Sequence, residues 1–274
     1  MRYNSVNGLT PRRPNRLLAA VLTAAAFLFP YSLYAWDYAS EEAITTHSVQ
    51  LRVGADFNKK WNNGLRLSLS EDLRSDVYNS ESGAAFRHSF TTLSLGYLPI
   101  EYFKLDVGYT LKITNKETTD ANELMRHRVF ASVTGIYRNE YVKLYLRERA
   151  LMEARTDSVN PLEKKRYNWQ LRSKIGAEFP IMGQPVKPYL WAEIINTLNA
   201  PEYQQLNGHQ FITIARTQAG VKWRISRLSS LDFYYRFTYN YNRDINVTKK
   251  KGLIELTEET LFQHAIGVTY NLDW

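Results

Sequence analysis

Residues 266–274 read IGVTYNLDW. Successive side chains of an extended chain point to opposite sides, so Ile266, Val268, Tyr270, Leu272 and Trp274 share one face and Gly267, Thr269, Asn271 and Asp273 the other. One face is apolar and aromatic, the other small and polar, which is the signature of a half-buried strand. The same period of two runs back through the chain. Val49, Leu51, Val53, Ala55 and Phe57 alternate with Ser48, Gln50, Arg52, Gly54 and Asp56, and Leu65, Leu67 and Leu69 with Arg66, Ser68 and Ser70. It recurs at 103–113, at 167–179 and at 231–241, where Leu231, Phe233, Tyr235, Phe237, Tyr239 and Tyr241 share a face. Less regular segments at 86–98, 126–138, 140–153, 186–196 and 209–224 bring the count to eleven.

The amino terminus reads differently. Arg2, Arg12, Arg13 and Arg16 precede an apolar run from Leu17 to Leu28, followed by Ser32, Leu33, Tyr34 and Ala35. This pattern predicts a signal peptide over 1–35, cleaved after Ala35, with the folded domain over 36–274. The apolar run falls short of the roughly 20 residues that a spanning helix needs. The precursor carries 35 Lys and Arg against 27 Asp and Glu, a net charge of +8. Loss of the four leader arginines halves that excess, so no nucleic-acid partner is implied. There is no cysteine, which removes disulfides, thiolate metal sites and a cysteine nucleophile from consideration.

Connections between the strands alternate in length. Those at 58–63, 99–102, 139–140, 180–185 and 225–229 are short, and those at 75–85, 116–125, 154–166, 197–208 and 242–258 are long and polar. Short turns at one end and long loops at the other are how outer-membrane barrels distribute their periplasmic and external connections. Segments of ten to thirteen alternating residues also exceed the five or six common in soluble sheets, and Tyr167, Trp169, Phe179 and Trp223 stand near strand ends, where interfacial girdles form. The expected fold is all-β, an antiparallel up-and-down transmembrane β-barrel. If the last strand and the strand at 48–57 both descend, an ascending strand is missing between them, and Trp36–Ile44 would supply it. That gives twelve strands, with ten as the alternative.

The closing stretch is similar to the terminal strand of bacterial outer-membrane barrels. That likeness makes Ile266, Val268, Tyr270, Leu272 and Trp274 the expected signal for the barrel-assembly machinery. The segments LRLSLSEDLRSD (65–76), FTTLSLGYLPIEYFKLDVGYTLK (90–112), PYLWAEI (188–194) and LDFYYRFTYNYN (231–242) resemble strands of a family of exported barrels, domain of unknown function 2490. The resemblance implies the outer membrane of a Gram-negative cell. It brings no catalytic or binding residue.

With the apolar faces turned to lipid, the lumen holds Arg52, Arg66, Arg74, Lys104, Lys112, Arg172, Lys174, Arg216, Lys222, Arg224 and Arg236 against Asp56, Asp72, Asp106, Glu178 and Asp232. Fixed positive charge in a narrow tube concentrates anions. Arg52, Arg172, Arg216 and Arg236 lie nearest mid-strand and are the candidates for contacting a solute. The competing reading pairs the charges near the short turns into an ion-pair layer that closes the lumen, leaving a structural or surface-interaction barrel. A lipid-modifying enzyme would need a serine and histidine on one face. His88 and Ser89 point apart, His264 shares the outward phase of Phe262 and Ile266, His127 sits between Arg126 and Arg128 in a basic rim, and the five histidines are too scattered for a metal. Neither catalysis nor a cofactor is expected. Lys164, Lys165, Arg166 and Lys249 to Lys251 in the long loops are candidates for lipopolysaccharide phosphates, and the barrel is expected to be a monomer among outer-membrane lipids.

Overall fold

Short polar turns set the strands at one end of the molecule. Asn63 accepts the Leu65 amide at 3.2 Å and Gly64 adopts φ 84°, a left-handed conformation that favours glycine. Asn139 accepts the Tyr141 and Val142 amides at 2.9 and 2.7 Å, and Ser226 accepts those of Leu228 and Ser229 at 3.2 and 3.0 Å. These Asn and Ser side chains stand in for backbone partners that a tight turn lacks.

The computed structural model describes residues 42–79, 85–115, 124–155, 166–200, 212–248 and 253–274. Among them eleven strands close into a barrel: β1 (Glu42–Lys60), β2 (Leu65–Asn79), β3 (Ala85–Ile100), β4 (Phe103–Thr114), β5 (Met125–Arg138), β6 (Lys143–Arg155), β7 (Tyr167–Glu178), β8 (Val186–Thr197), β9 (Ile212–Arg224), β10 (Ser229–Thr248) and β11 (Leu253–Asp273). Each pairs antiparallel with its sequence neighbour, and β1 pairs parallel with β11 from Glu42↔Thr257 to Asn58↔Asp273.

The barrel has eleven strands where parity predicted twelve. β1 and β11 do run in the same direction, but a parallel ladder joins them directly and no ascending strand stands between them. Residues 42–44, assigned to the extra strand, are the start of β1. Residues 36–41 and the expected leader, 1–35, lie outside the described residues. The expected loop at 242–258 is also largely strand, since β10 and β11 stay paired to Thr248↔Leu253. The hairpin thus rises past Asn240↔Ile214, the last pair of β10 with β9, and Arg243 Nε donates to Glu258 Oε1 at 3.0 Å within it.

Apolar side chains face outward and polar ones inward. On the closing strand Ile266 is 61 % exposed and Ala265 only 1 %, which puts Ile266, Val268, Tyr270, Leu272 and Trp274 outside. Trp274 clips this strand to β1: its amide donates to Asn58 O at 2.9 Å, and its carbonyl accepts from the Lys60 amide at 2.9 Å.

Inside, aromatic rings lie flat over glycines of the neighbouring strand. Phe130 covers Gly108, Tyr145 covers Gly176, Tyr189 covers Gly220 and Tyr234 covers Gly267, each pair directly in register. A Cβ on Gly267 would stand 2.1 Å from Tyr234 Cζ, and one on Gly176 2.4 Å from Tyr145 Cζ. The glycines keep these rings against the wall and off the barrel axis. Gly267→Ala is therefore expected to push Tyr234 into the lumen and cost about 1–3 kcal/mol by overpacking, read as a lowered urea midpoint of the folded barrel.

Candidate functional site

The inward positions of the strands build two zones of different charge. Around mid-strand stand Arg52, Arg74, Lys112, Arg128, Arg149, Arg172, Arg216 and Arg236, against Asp72, Glu153 and Glu193. Toward the short turns stand Arg66, Lys104, Lys143, Arg147, Lys174 and Lys222, against Asp56, Asp106, Glu178 and Asp232. Eight cations to three carboxylates makes the middle of the tube strongly positive, whereas six to four leaves the turn end nearly balanced.

Each mid-strand carboxylate is shared by two arginines. Glu193, 6 % exposed, takes Arg147 Nη2 at 3.0 Å and Arg216 Nη1 at 3.5 Å. Glu153 takes Arg126 Nη1 at 2.9 Å and also Arg128. Asp72 takes Arg74 at 2.6 Å and Arg52 at 3.9 Å. These shared acids hold the wall but leave other cations without one. Among the described residues Arg172 donates only to Gln170 Oε1, at 2.9 and 3.3 Å. Arg149 stacks on Phe130 with Cζ 4.0 Å from the ring centroid, and Lys174 Nζ lies 3.6 Å from the Trp191 centroid.

All four predicted solute-contacting arginines face the lumen, on four separate strands. Arg52 is 2 % exposed, with Nη2 donating to Gln50 Oε1 at 3.2 Å. Arg216 joins Glu193, and Arg236 Nε donates to Gln218 Oε1 at 2.7 Å while its guanidinium lies 5.2 Å from the Trp191 centroid. Sequence reasoning missed Arg126, Arg128, Arg147, Arg149, Glu153 and Glu193, which the phase of β5, β6 and β8 turns inward.

Near the short turns, Lys104 pairs with Asp106 at 2.7 Å, and Glu178 takes Lys143 at 3.1 Å and Lys222 at 3.4 Å. The expected ion-pair layer forms there only in part, because Asp56 has no hydrogen-bond or ion-pair partner among the described residues and Asp232 accepts only from Tyr189 Oη at 3.1 Å. Between them opens a cavity of about 280 Å³, lined by Asp56, Lys174, Trp191, Asp232 and Arg236 among others.

Among the described residues, His88, His127 and His264 each stand apart from a serine on their own face. His88 faces inward and Ser89 outward, where the serine donates to Glu71. His127 faces outward, opposite Arg126 and Arg128, against Tyr109 Oη at 2.5 Å, and His264 is outward against Tyr235 Oη at 2.6 Å. Of the basic loop residues only Arg166 is described, and it is exposed. Lys164, Lys165 and Lys249 to Lys251 lie outside the described residues.

The model of a protein family of unknown function, DUF2490, matches residues 50–249. No curated protein is similar enough to the chain to match it. Among solved structures, one of the NanC porin is similar over 70 % of this chain and 87 % of its own, at 8 % sequence identity and a TM-score of 0.43.

Proposed function

Because the chain belongs to DUF2490, a protein family of unknown function, its role has to be read from the barrel itself, and we propose an outer-membrane conduit for small anionic solutes. The outward apolar face supports the membrane location: Leu51, Val53, Leu93, Val107 and Tyr235 are all 45 % exposed or more, a surface that water would not tolerate and lipid would. The observation that carries the solute reading is the excess of mid-lumen cations, eight against three among the described residues, on walls where Phe130, Tyr145, Tyr189 and Tyr234 lie over neighbouring glycines. In low dielectric such an excess draws anions in.

In this reading the leader exports the chain, the closing strand is recognised by the assembly machinery, and the folded protein is a monomer in outer-membrane lipid of a Gram-negative cell. It is not an enzyme. The protein should fractionate with outer membranes and migrate differently on gels before and after boiling. Reconstituted in planar bilayers it should give discrete conductance, and the combined replacement of Arg52, Arg172, Arg216 and Arg236 by alanine should abolish its anion preference. A barrel with no conductance would sink the conduit in favour of a closed structural one.

Among the described residues, Glu148 and Glu71 stand on the apolar outer face near mid-strand. Glu148 accepts from Ser173 Oγ at 2.7 Å, and Glu71 from Thr91 Oγ1 at 2.5 Å. A charge facing lipid costs more than an apolar side chain, so Glu148→Leu should stabilise the barrel in lipid vesicles by about 1 kcal/mol. A destabilised variant would mean that this face meets something other than lipid.

A further inference from the structure

We propose that the cavity at the turn end of the lumen is a binding site for a compact zwitterion, one that carries a carboxylate and an ammonium a few bonds apart. The inference rests on the conduit reading and narrows it. Neighbouring charges that serve the wall find partners at short range, as Lys104 does with Asp106 at 2.7 Å and Lys222 with Glu178 at 3.4 Å. The cavity, whose lining includes that Lys222–Glu178 pair, also holds groups of both signs that leave each other unpaired.

On one side, Lys174 of β7 reaches into the cavity with no hydrogen-bond or ion-pair partner among the described residues, its ammonium 3.6 Å from the Trp191 centroid. The guanidinium of Arg236 flanks the same ring at 5.2 Å. On the other side, Asp56 of β1 has neither kind of partner, and Asp232 of β10 leaves its shielded Oδ1 without one. The two aspartates stand on strands either side of β11, in register with Asn271 and Thr269. Shielded charges without partners are costly, and a ligand that brings both signs relieves both walls at once.

A plain anion would meet Lys174 and Arg236 but would face Asp56 and Asp232 with like charge. A plain cation would meet the reverse. The zwitterion's carboxylate lies against Lys174 and Arg236, and its ammonium against the two aspartates and the electron-rich face of Tyr189 or Tyr234, both of which line the cavity. The volume of about 280 Å³ admits a molecule of amino-acid size and excludes long oligomers from lodging whole.

The test uses the full folded chain in detergent, titrated calorimetrically with 4-aminobutyrate and with its two halves, butyrate and butylammonium. 4-Aminobutyrate should bind at least about tenfold more tightly than either half, since each charged contact contributes on that scale. Asp56→Asn should weaken 4-aminobutyrate about tenfold and, by removing a like charge, leave butyrate no weaker, while Lys174→Met should weaken both. Asp232→Asn provides a second near-isosteric change, and retained heat-modifiable migration shows that each variant folds. Butyrate binding as well as 4-aminobutyrate, no saturable heat with any of the three, or indifference to both aspartate changes would overturn the site. Conductance of the same preparation separates the two readings: an anion-selective barrel without zwitterion preference overturns the site alone, and zwitterion binding by a barrel that does not conduct supports the site while overturning the conduit.

Discussion

Replacing Glu193 with alanine is expected to cost the barrel about 3–5 kcal/mol, the scale of breaking a buried ion pair from one side. Glu193 is 6 % exposed and holds Arg147 at 3.0 Å and Arg216 at 3.5 Å, and Lys174 is its direct register partner on β7. Removing its charge leaves Arg147, Lys174 and Arg216 around the vacated position on β8, with only Asp72 and Glu153 as other mid-strand carboxylates among the described residues. Glu193→Gln keeps the shape and one acceptor, so it should lose less. The urea midpoint of the detergent-folded barrel reads both. A loss under about 1 kcal/mol for the alanine variant would mean that water already screens these cations and that the shared acids do not hold the wall.

A chain ending at Ala265 is expected not to close at all. Removing residues 266–274 strips β10 of its pairs from Ser229 to Tyr235 and β1 of its pairs from Leu51 to Asn58. That exposes two unpaired edges where lipid offers no hydrogen bonds. The truncated protein should show no heat-modifiable band and should be digested by protease. Trp274→Ala keeps the backbone bonds to Asn58 and Lys60 and loses only an exposed ring, so it should still fold. A folded truncated barrel would contradict closure through β11.

What could be read in advance depended on how cleanly a strand separates its faces. In β1, β4, β7 and β10 the inward residues are polar, charged or glycine along most of the length, and alternation alone gave their phase. β6 has Glu148 outside and Leu151 inside, so charge and apolarity cancel as phase signals, and Arg147, Arg149 and Glu153 escaped notice. β8 turns Tyr189, Trp191 and Ile195 inward, against the expectation that aromatics face lipid. The reason appears only with the neighbours in place, because Tyr189 takes the space above Gly220 and Trp191 lies against the Lys174 ammonium. The parallel seam was invisible for a related reason: it joins residues as far apart as Ser48 and Gln263, and nothing local tells a parallel partner from an antiparallel one. Arg52, Arg172 and Arg236 were legible because each occupies the polar phase of a regular alternating strand, and Asp72 was legible in the same way, whereas Glu193 and the pairings of Asp72 with Arg52 and of Glu193 with Arg216 could be assigned only from the register.

The conduit is tested most directly by the zero-current potential of the reconstituted barrel under a tenfold potassium chloride gradient. A lumen with the mid-strand cation excess described above should shift that potential toward the chloride equilibrium value, and loss of Arg52, Arg172, Arg216 and Arg236 should move it back toward zero. A potential at zero or on the potassium side for the unaltered protein would contradict an anion-selective lumen.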